Sequence, residues 1–347
     1  MKASPNYKGI LKYVISLAIA GGLLYLVFRN MDAATIVAKL QEVQYQWVIL
    51  AVIIFIISHI IRAYRWNLML APLGYENLTV FRTLQAVLVA YFANLIIPRM
   101  GEVTRCGVMR QLEKVPVTTS LGTVVAERLV DLMSLFLLMA FLFTIEFRRL
   151  NDFITGFWQE KLSGIGENVF AIYVFVGFAV LGMIALYLLA RVYRHKLKEN
   201  ALFQKARILM REVLRGATSL GKIKKQAQFW LATVSMWLMY FLMSYVVFYA
   251  IPETRGLGAS AGLAVLVMGS LGMAAPVQGG FGTFHALVSG VLLLYGIGQS
   301  DGVLFATLVH GMQTISFILL GAAAFFVISV LSSRKANTSS PEAKATS

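Results

Sequence analysis

Two groups of charged residues interrupt otherwise apolar runs of this chain, at spacings that would suit the binding of an anion. The first lies in NLIIPRMGEVTR, residues 94–105, which contains Pro98, Arg99, Gly101, Glu102 and Arg105, with Arg110 a little further on. The second is ERLVD, which supplies Glu127, Arg128 and Asp131. Proline has no amide proton and its ring clashes with the preceding turn, so Pro98 ends a helix. Gly101 allows a sharp reversal or close packing just beyond it. Glu102 at the start of the next helix is favoured by the helix dipole, and Arg105, three residues on, shares its face. Guanidinium groups hold phosphate oxygens bidentately. Arg99 and Arg105 are therefore candidates to hold an anionic group, with Glu102, Glu127 and Asp131 orienting them. A purely structural alternative stands beside this: Glu127, Arg128 and Asp131 lock their helix to Arg99, Glu102 and Arg105 with no ligand. A network that exchanges partners with a ligand satisfies both.

A third stretch, PVQGGFGTFHAL at residues 276–287, repeats the helix-breaking pattern with Pro276, Gly279, Gly280 and Gly282. Uncovered glycine amides at a helix start form an anion-binding concavity, although such glycines serve close packing equally often. His285 follows, and His310 and Gln313 stand three apart on the last apolar run. Histidines in this setting are satisfied interior residues or, as a pair, a proton relay. They are too few for a zinc site, so no metal is expected. The single cysteine, Cys106, excludes an intramolecular disulfide and reads as a small buried residue. No Walker loop, dinucleotide-binding glycine pattern or nucleophile elbow occurs in the required context. The expectation is no catalytic residue, no cofactor and no ATP hydrolysis by this chain.

The elements that must position these residues follow from composition. The 347 residues are 59% hydrophobic and 14% charged, with a mean hydropathy of +0.74, which is the composition of an integral membrane protein. Apolar runs at 10–28, 47–70, 118–145, 168–190, 229–251 and 303–331 are long enough to span a bilayer. Two further segments, 81–116 and 258–298, are apolar runs broken at the Pro/Gly stretches and read as helical hairpins with irregular tips. Such backbone is tolerated at membrane depth only when packed in protein or lining a wet cavity. In the span that carries ERLVD, the apolar residues 132–145 cover only about 21 Å of a core about 30 Å thick. Glu127 to Asp131 therefore lie inside the membrane. Each charge there costs up to about 2.5–3.5 kcal/mol if it faces lipid, so they face the protein interior or water.

The net charge of +15 follows from cation retention on the cytoplasmic side, and no nucleic acid is expected. With both termini inside and each hairpin leaving on its side of entry, the cytoplasmic segments are 1–12, 62–82, 98–116, 191–228 and 332–347. These hold 24 of the 31 Lys and Arg. The fold class predicted is an all-α polytopic membrane protein with about six full spans and two broken hairpins. The first membrane repeat is 1–145 with its hairpin at 81–116. The second is 146–331, with its hairpin at 258–298 and a basic cytoplasmic loop at 191–228. Three crossings per unit make the repeats inverted, a transporter arrangement in which broken helices mark the binding site. Residues 32–46 read as a short interfacial helix capped by Asp32, the loop 191–228 as a basic amphipathic surface helix or a plain topology anchor, and 332–347 as a disordered tail.

NLIIPRMGEVTR, VVAERLVDL and PVQGGFGTFH together resemble the transmembrane, flippase-like region of the lysylphosphatidylglycerol synthases, the multiple peptide resistance factor family, over about residues 8–331. The resemblance carries over onto Pro98, Arg99, Gly101, Glu102, Arg105, Glu127, Arg128, Asp131, Pro276, Gly279, Gly280 and Gly282. Two departures stand out: Gln278 precedes the glycines, and His285 takes a position where many relatives have glutamate. The resemblance implies an inner-membrane lipid transporter whose ligand is a phospholipid or isoprenoid-linked lipid with an anionic headgroup. Full synthases add a soluble aminoacyltransferase domain, so lysyl transfer by this polypeptide alone is not expected. The alternatives are an accessory subunit that presents lipid to a separate aminoacyl- or glycosyltransferase, and a membrane-embedded enzyme using Glu127, Asp131 or His285 as acid and base.

Overall fold

The computed structural model describes residues 18, 20–29, 33–97, 100–147, 149, 221, 223–275 and 277–338, and the described residues are helical with no strand. Residues 20–28 are helical. After them come α1 (Ala33–Glu42) and α2 (Tyr45–Leu70). Then follow α3 (Val80–Ile96), α4 (Gly101–Glu113) and α5 (Val117–Ile145). The second half holds α6 (Gln226–Val247), α7 (Ala259–Ala274), α8 (Thr283–Leu293) and α9 (Gln299–Thr338). Among the described residues, four helical stretches are long and apolar enough to cross a membrane: Tyr45–Leu73, Val117–Ile145, Gln226–Ala250 and Gln299–Val330. They correspond to four of the six spans expected. The run 10–28 is described only in its second half, and 168–190 lies outside the described residues. So do the cap at Asp32 and most of the loop 191–228. The last helix continues to Thr338, past the point where a disordered tail is expected to begin; residues 339–347 lie outside the described residues.

Both broken segments fold back on themselves. Ile97 adopts φ −130°, ψ 120°, the extended conformation that a following proline imposes, and α3 ends there. The amide of Gly101 donates to Asn94 Oδ1 (2.6 Å) across the reversal. A Cβ on Gly101 would collide with the Ala90 carbonyl oxygen, so this glycine serves close packing of α4 onto α3. At the other end of the pair, Arg82 and Glu113 meet at 2.8 Å, which makes the two helices antiparallel. In the second hairpin Ala275, ahead of Pro276, has φ −58°, ψ 147°. The Thr283 hydroxyl then donates to the Gly272 carbonyl (2.7 Å), and the Phe284 ring lies against Gly269.

The helix directions sort the loops into two ends of the bundle. One end holds the turn after α2 and the start of α6, joined by Lys224 and Glu76 (2.9 Å), together with the base of the α3–α4 hairpin. The other end holds α1, the end of α6 and the start of α9. There the Gln44 amide donates to the Ala250 carbonyl (2.9 Å), Lys39 pairs with Asp301, and the Arg149 guanidinium sits 4.2 Å from the centre of the Tyr295 ring. The α7–α8 hairpin has its base at this second end, so the hairpins enter from opposite sides. Their tips meet: Gln278 Nε2 donates to the carbonyls of Leu95 (2.7 Å) and Ile96 (3.0 Å), which are unsatisfied helix-end acceptors of α3.

Helix α5 shows how one sequence serves two solvents. Leu132, Met133, Phe136, Leu137 and Phe141 are exposed, whereas Glu127, Val130 and Leu135 are buried. A 3.6-residue period separates the apolar outer stripe, facing the surround, from a stripe that carries a carboxylate inward.

Candidate functional site

The inward stripe of α5 places Glu127 and Asp131 one turn apart on one face. Facing them from α2 are Arg62 and Arg65, also one turn apart; Arg62 is buried, and Arg65 is fully buried, as is Glu127. Asp131 accepts from Arg62 Nη2 (2.7 Å) through Oδ2 and from Arg65 Nη2 (2.7 Å) through Oδ1. Glu127 Oε1 lies 3.3 Å from each of Arg62 Nη1 and Arg65 Nη2. Its other oxygen accepts from Arg105 Nη1 of α4 (2.8 Å). The Arg105 guanidinium also lies 4.7 Å from the centre of the Trp66 ring, a cation–π contact, and Trp66 donates its indole N–H to Thr123 Oγ1 (2.9 Å). Three helices are thus joined by one charge network, as the structural alternative anticipated for α4 and α5.

Arg128 stands at its edge. Its side chain is 44% exposed and comes no nearer than 3.7 Å to Glu127 and 3.8 Å to Asp131. The expected Arg128–Asp131 pair is therefore a loose, half-solvated contact, outweighed by the arginines of α2. Glu102 does not orient Arg105. Its Oε2 is buried without a hydrogen-bond partner, and it pairs with no described residue. Arg99, Pro98 and Pro276 lie outside the described residues. Arg62 and Arg65 correct the expectation from sequence, which assigned them to a cytoplasmic segment beginning at residue 62. They belong to the interior of the span. The signal available was their three-residue spacing, a counterpart to the four-residue spacing of Glu127 and Asp131.

Three buried guanidinium groups, with half-exposed Arg128 at their edge, face two carboxylates among the described residues, so the cluster carries excess positive charge. The polar satisfaction is incomplete as well: Nε and Nη1 of Arg65 and Nη2 of Arg105 are buried without hydrogen-bond partners. Beside the cluster lies a cavity of about 160 Å³ between the two halves, lined by Arg62 with Phe55, His59, Tyr91, Tyr240, Gln313 and Phe317 among others.

The second tip behaves differently from an open concavity. Gly279, Gly280 and Gly282 all have positive φ (58°, 75° and 81°), where a side chain would be strained. Their Cα faces are covered by protein: Gly279 by Phe281 and Leu95, Gly280 by Met273, and Gly282 by Leu23. His310 Nε2 donates to the Gly279 carbonyl (2.9 Å), and its ring stacks on Phe284 with centroids 5.1 Å apart. His310 is a satisfied interior residue that fixes the tip. His285, also buried, packs edge-on against it at 5.1 Å, with Nδ1 unpartnered. No group of three or more metal-ligating side chains occurs among the described residues.

Comparison with known proteins adds one finding. The family model described as Lysylphosphatidylglycerol synthase TM region matches residues 13–321. No curated protein and no solved structure matches the chain.

Proposed function

We propose that this chain, which belongs to the lysylphosphatidylglycerol synthase TM region family, carries a lipid with an anionic headgroup between the leaflets of the membrane. The observation that carries this reading is the excess of buried positive charge at Arg62, Arg65 and Arg105 over Glu127 and Asp131, with half-exposed Arg128 at its edge. An ion pair buried in a low dielectric barely offsets its desolvation, and a buried cation without a counter-charge is costlier still. A phosphate taken up beside the cluster supplies the missing counter-charge. A cavity that opens beside Arg62 gives that phosphate somewhere to enter.

The hairpins support movement as well as binding. Segments broken at matching positions, entering from opposite ends and touching at their tips, give the two leaflets equivalent access to a site between them. In this reading the halves act as inverted repeats. The end holding Glu76 and Lys224 is cytoplasmic in a plasma or inner membrane, as the positive-inside rule requires. The lipid is moved unchanged, and no residue acts as acid, base or nucleophile.

The test is translocation by purified protein in liposomes, using a fluorescent anionic phospholipid and a zwitterionic one. The anionic lipid is expected to cross faster than in protein-free vesicles. Folded Arg65→Ala and Arg105→Ala variants are expected to lose most of that rate. Wild-type rates in both variants would overturn the assignment of the site.

A further inference from the structure

Of the arginines in the cluster, Arg62 lines the cavity, yet its guanidinium is fully engaged. Nη2 donates to Asp131 (2.7 Å), Nη1 to the Tyr91 hydroxyl (2.8 Å) and Nε to the Tyr240 hydroxyl (3.2 Å). A guanidinium only donates, so both phenol oxygens act as acceptors and each hydroxyl proton points away from Arg62. Neither proton has an acceptor among the described residues, and both rings line the cavity. A hydroxyl that accepts from a cation is polarised and becomes a stronger donor. The cavity therefore presents two neighbouring O–H donors with a positive charge directly behind them.

The cavity, about 160 Å³, has room for a phosphate group. The remaining wall includes Phe55, Phe284, Phe317 and Met273, which suits the apolar chain joined to such a group. We infer that Tyr91 and Tyr240 are the residues that contact the ligand, that they recognise the oxygens of a phosphate ester, and that Arg62 acts through them. The inference rests on the proposed function and deepens it by naming the contacting residues. Free phosphate offers the same oxygens as a lipid phosphate.

The full chain in detergent is titrated calorimetrically with dihexanoyl phosphatidic acid, dihexanoyl phosphatidylglycerol, inorganic phosphate and, as a phosphate-free control, dihexanoylglycerol. Wild-type protein is expected to bind phosphatidic acid and not the control. Tyr91→Phe and Tyr240→Phe are each expected to weaken binding about tenfold and to stay folded with a lower melting temperature, since ring packing is kept while one Arg62 N–H loses its acceptor. Ser270→Leu, which fills the cavity without touching Arg62, is expected to abolish binding and keeps the test decisive even if a phenylalanine variant fails to fold. Binding of inorganic phosphate alone, lost in the same variants, supports the donor pair and assigns the site to free phosphate. Wild-type affinity in the folded Tyr91→Phe/Tyr240→Phe double variant, or in Ser270→Leu, overturns the inference. If wild type nevertheless translocates anionic lipid, the proposed function survives that loss. A wild-type protein that binds no phosphate compound removes both.

Discussion

At the scale of the residue, the cluster is held by partners that cannot be removed singly. Glu127 is fully buried and meets three buried arginines within 3.3 Å. Glu127→Ala leaves all three under-neutralised and is expected to cost about 3–5 kcal/mol, read as a lower unfolding midpoint in detergent. Arg128, with its side chain 44% exposed and contacts at 3.7–3.8 Å, is expected to cost no more than about 1 kcal/mol when changed to alanine. Equal losses in the two variants would contradict this division. Glu127 and Asp131 were legible in the sequence because charges inside an apolar run must face inward, and Arg105 by its spacing after the helix-breaking Pro98 and Gly101. Arg62 and Arg65 were not. They lie in the last third of α2, within two turns or so of its end, where arginine ordinarily extends to the membrane surface, and only the partner helix shows that they turn inward.

At the scale of the element, each hairpin is defined by its breakers and joined to the other through its tip. Gln278 makes two hydrogen bonds to the end of α3, each worth about 1 kcal/mol. Gln278→Ala is expected to lower stability by about 1–2 kcal/mol and to loosen the tips, seen as faster hydrogen exchange at residues 277–282 than in wild type. Unchanged exchange there would show that the tips are held apart from Gln278. Gly101→Ala drives a methyl group into the Ala90 carbonyl and is expected to destabilise by about 1–3 kcal/mol, whereas Gly107→Ala, with open space around it, is expected to be neutral or slightly stabilising. Proline and glycine made the hairpins legible because they act on the local backbone. The packing of Gly279, Gly280 and Gly282 was not legible, since the atoms that cover them include Leu95 and Leu23 from far along the chain. Gln278 stood out only as a departure from the family pattern, and its role lies in a contact across 183 residues.

At the scale of the whole molecule, translocation requires two hairpins entering from opposite faces of one bilayer. The distribution of cations predicts this, because retention of Lys and Arg acts on whole loops, and moving Arg62 and Arg65 from loop to interior leaves the imbalance intact. In a Cys106→Ser background, Glu76→Cys and Glu253→Cys are both exposed positions on opposite ends of the bundle. A membrane-impermeant thiol reagent applied to intact cells is expected to label residue 253 and to reach residue 76 only after permeabilisation. Labelling of both from outside would break the topology. The central claim is that the buried arginine cluster and its cavity form a headgroup site. It is tested most directly by a cryo-electron microscopy map of the chain with a bound antibody fragment, in nanodiscs of an anionic phospholipid. Phosphate density is expected against the Tyr91 and Tyr240 hydroxyls, beside Arg62. A cavity filled by water or side chains, with every headgroup in the bulk leaflets, would contradict it.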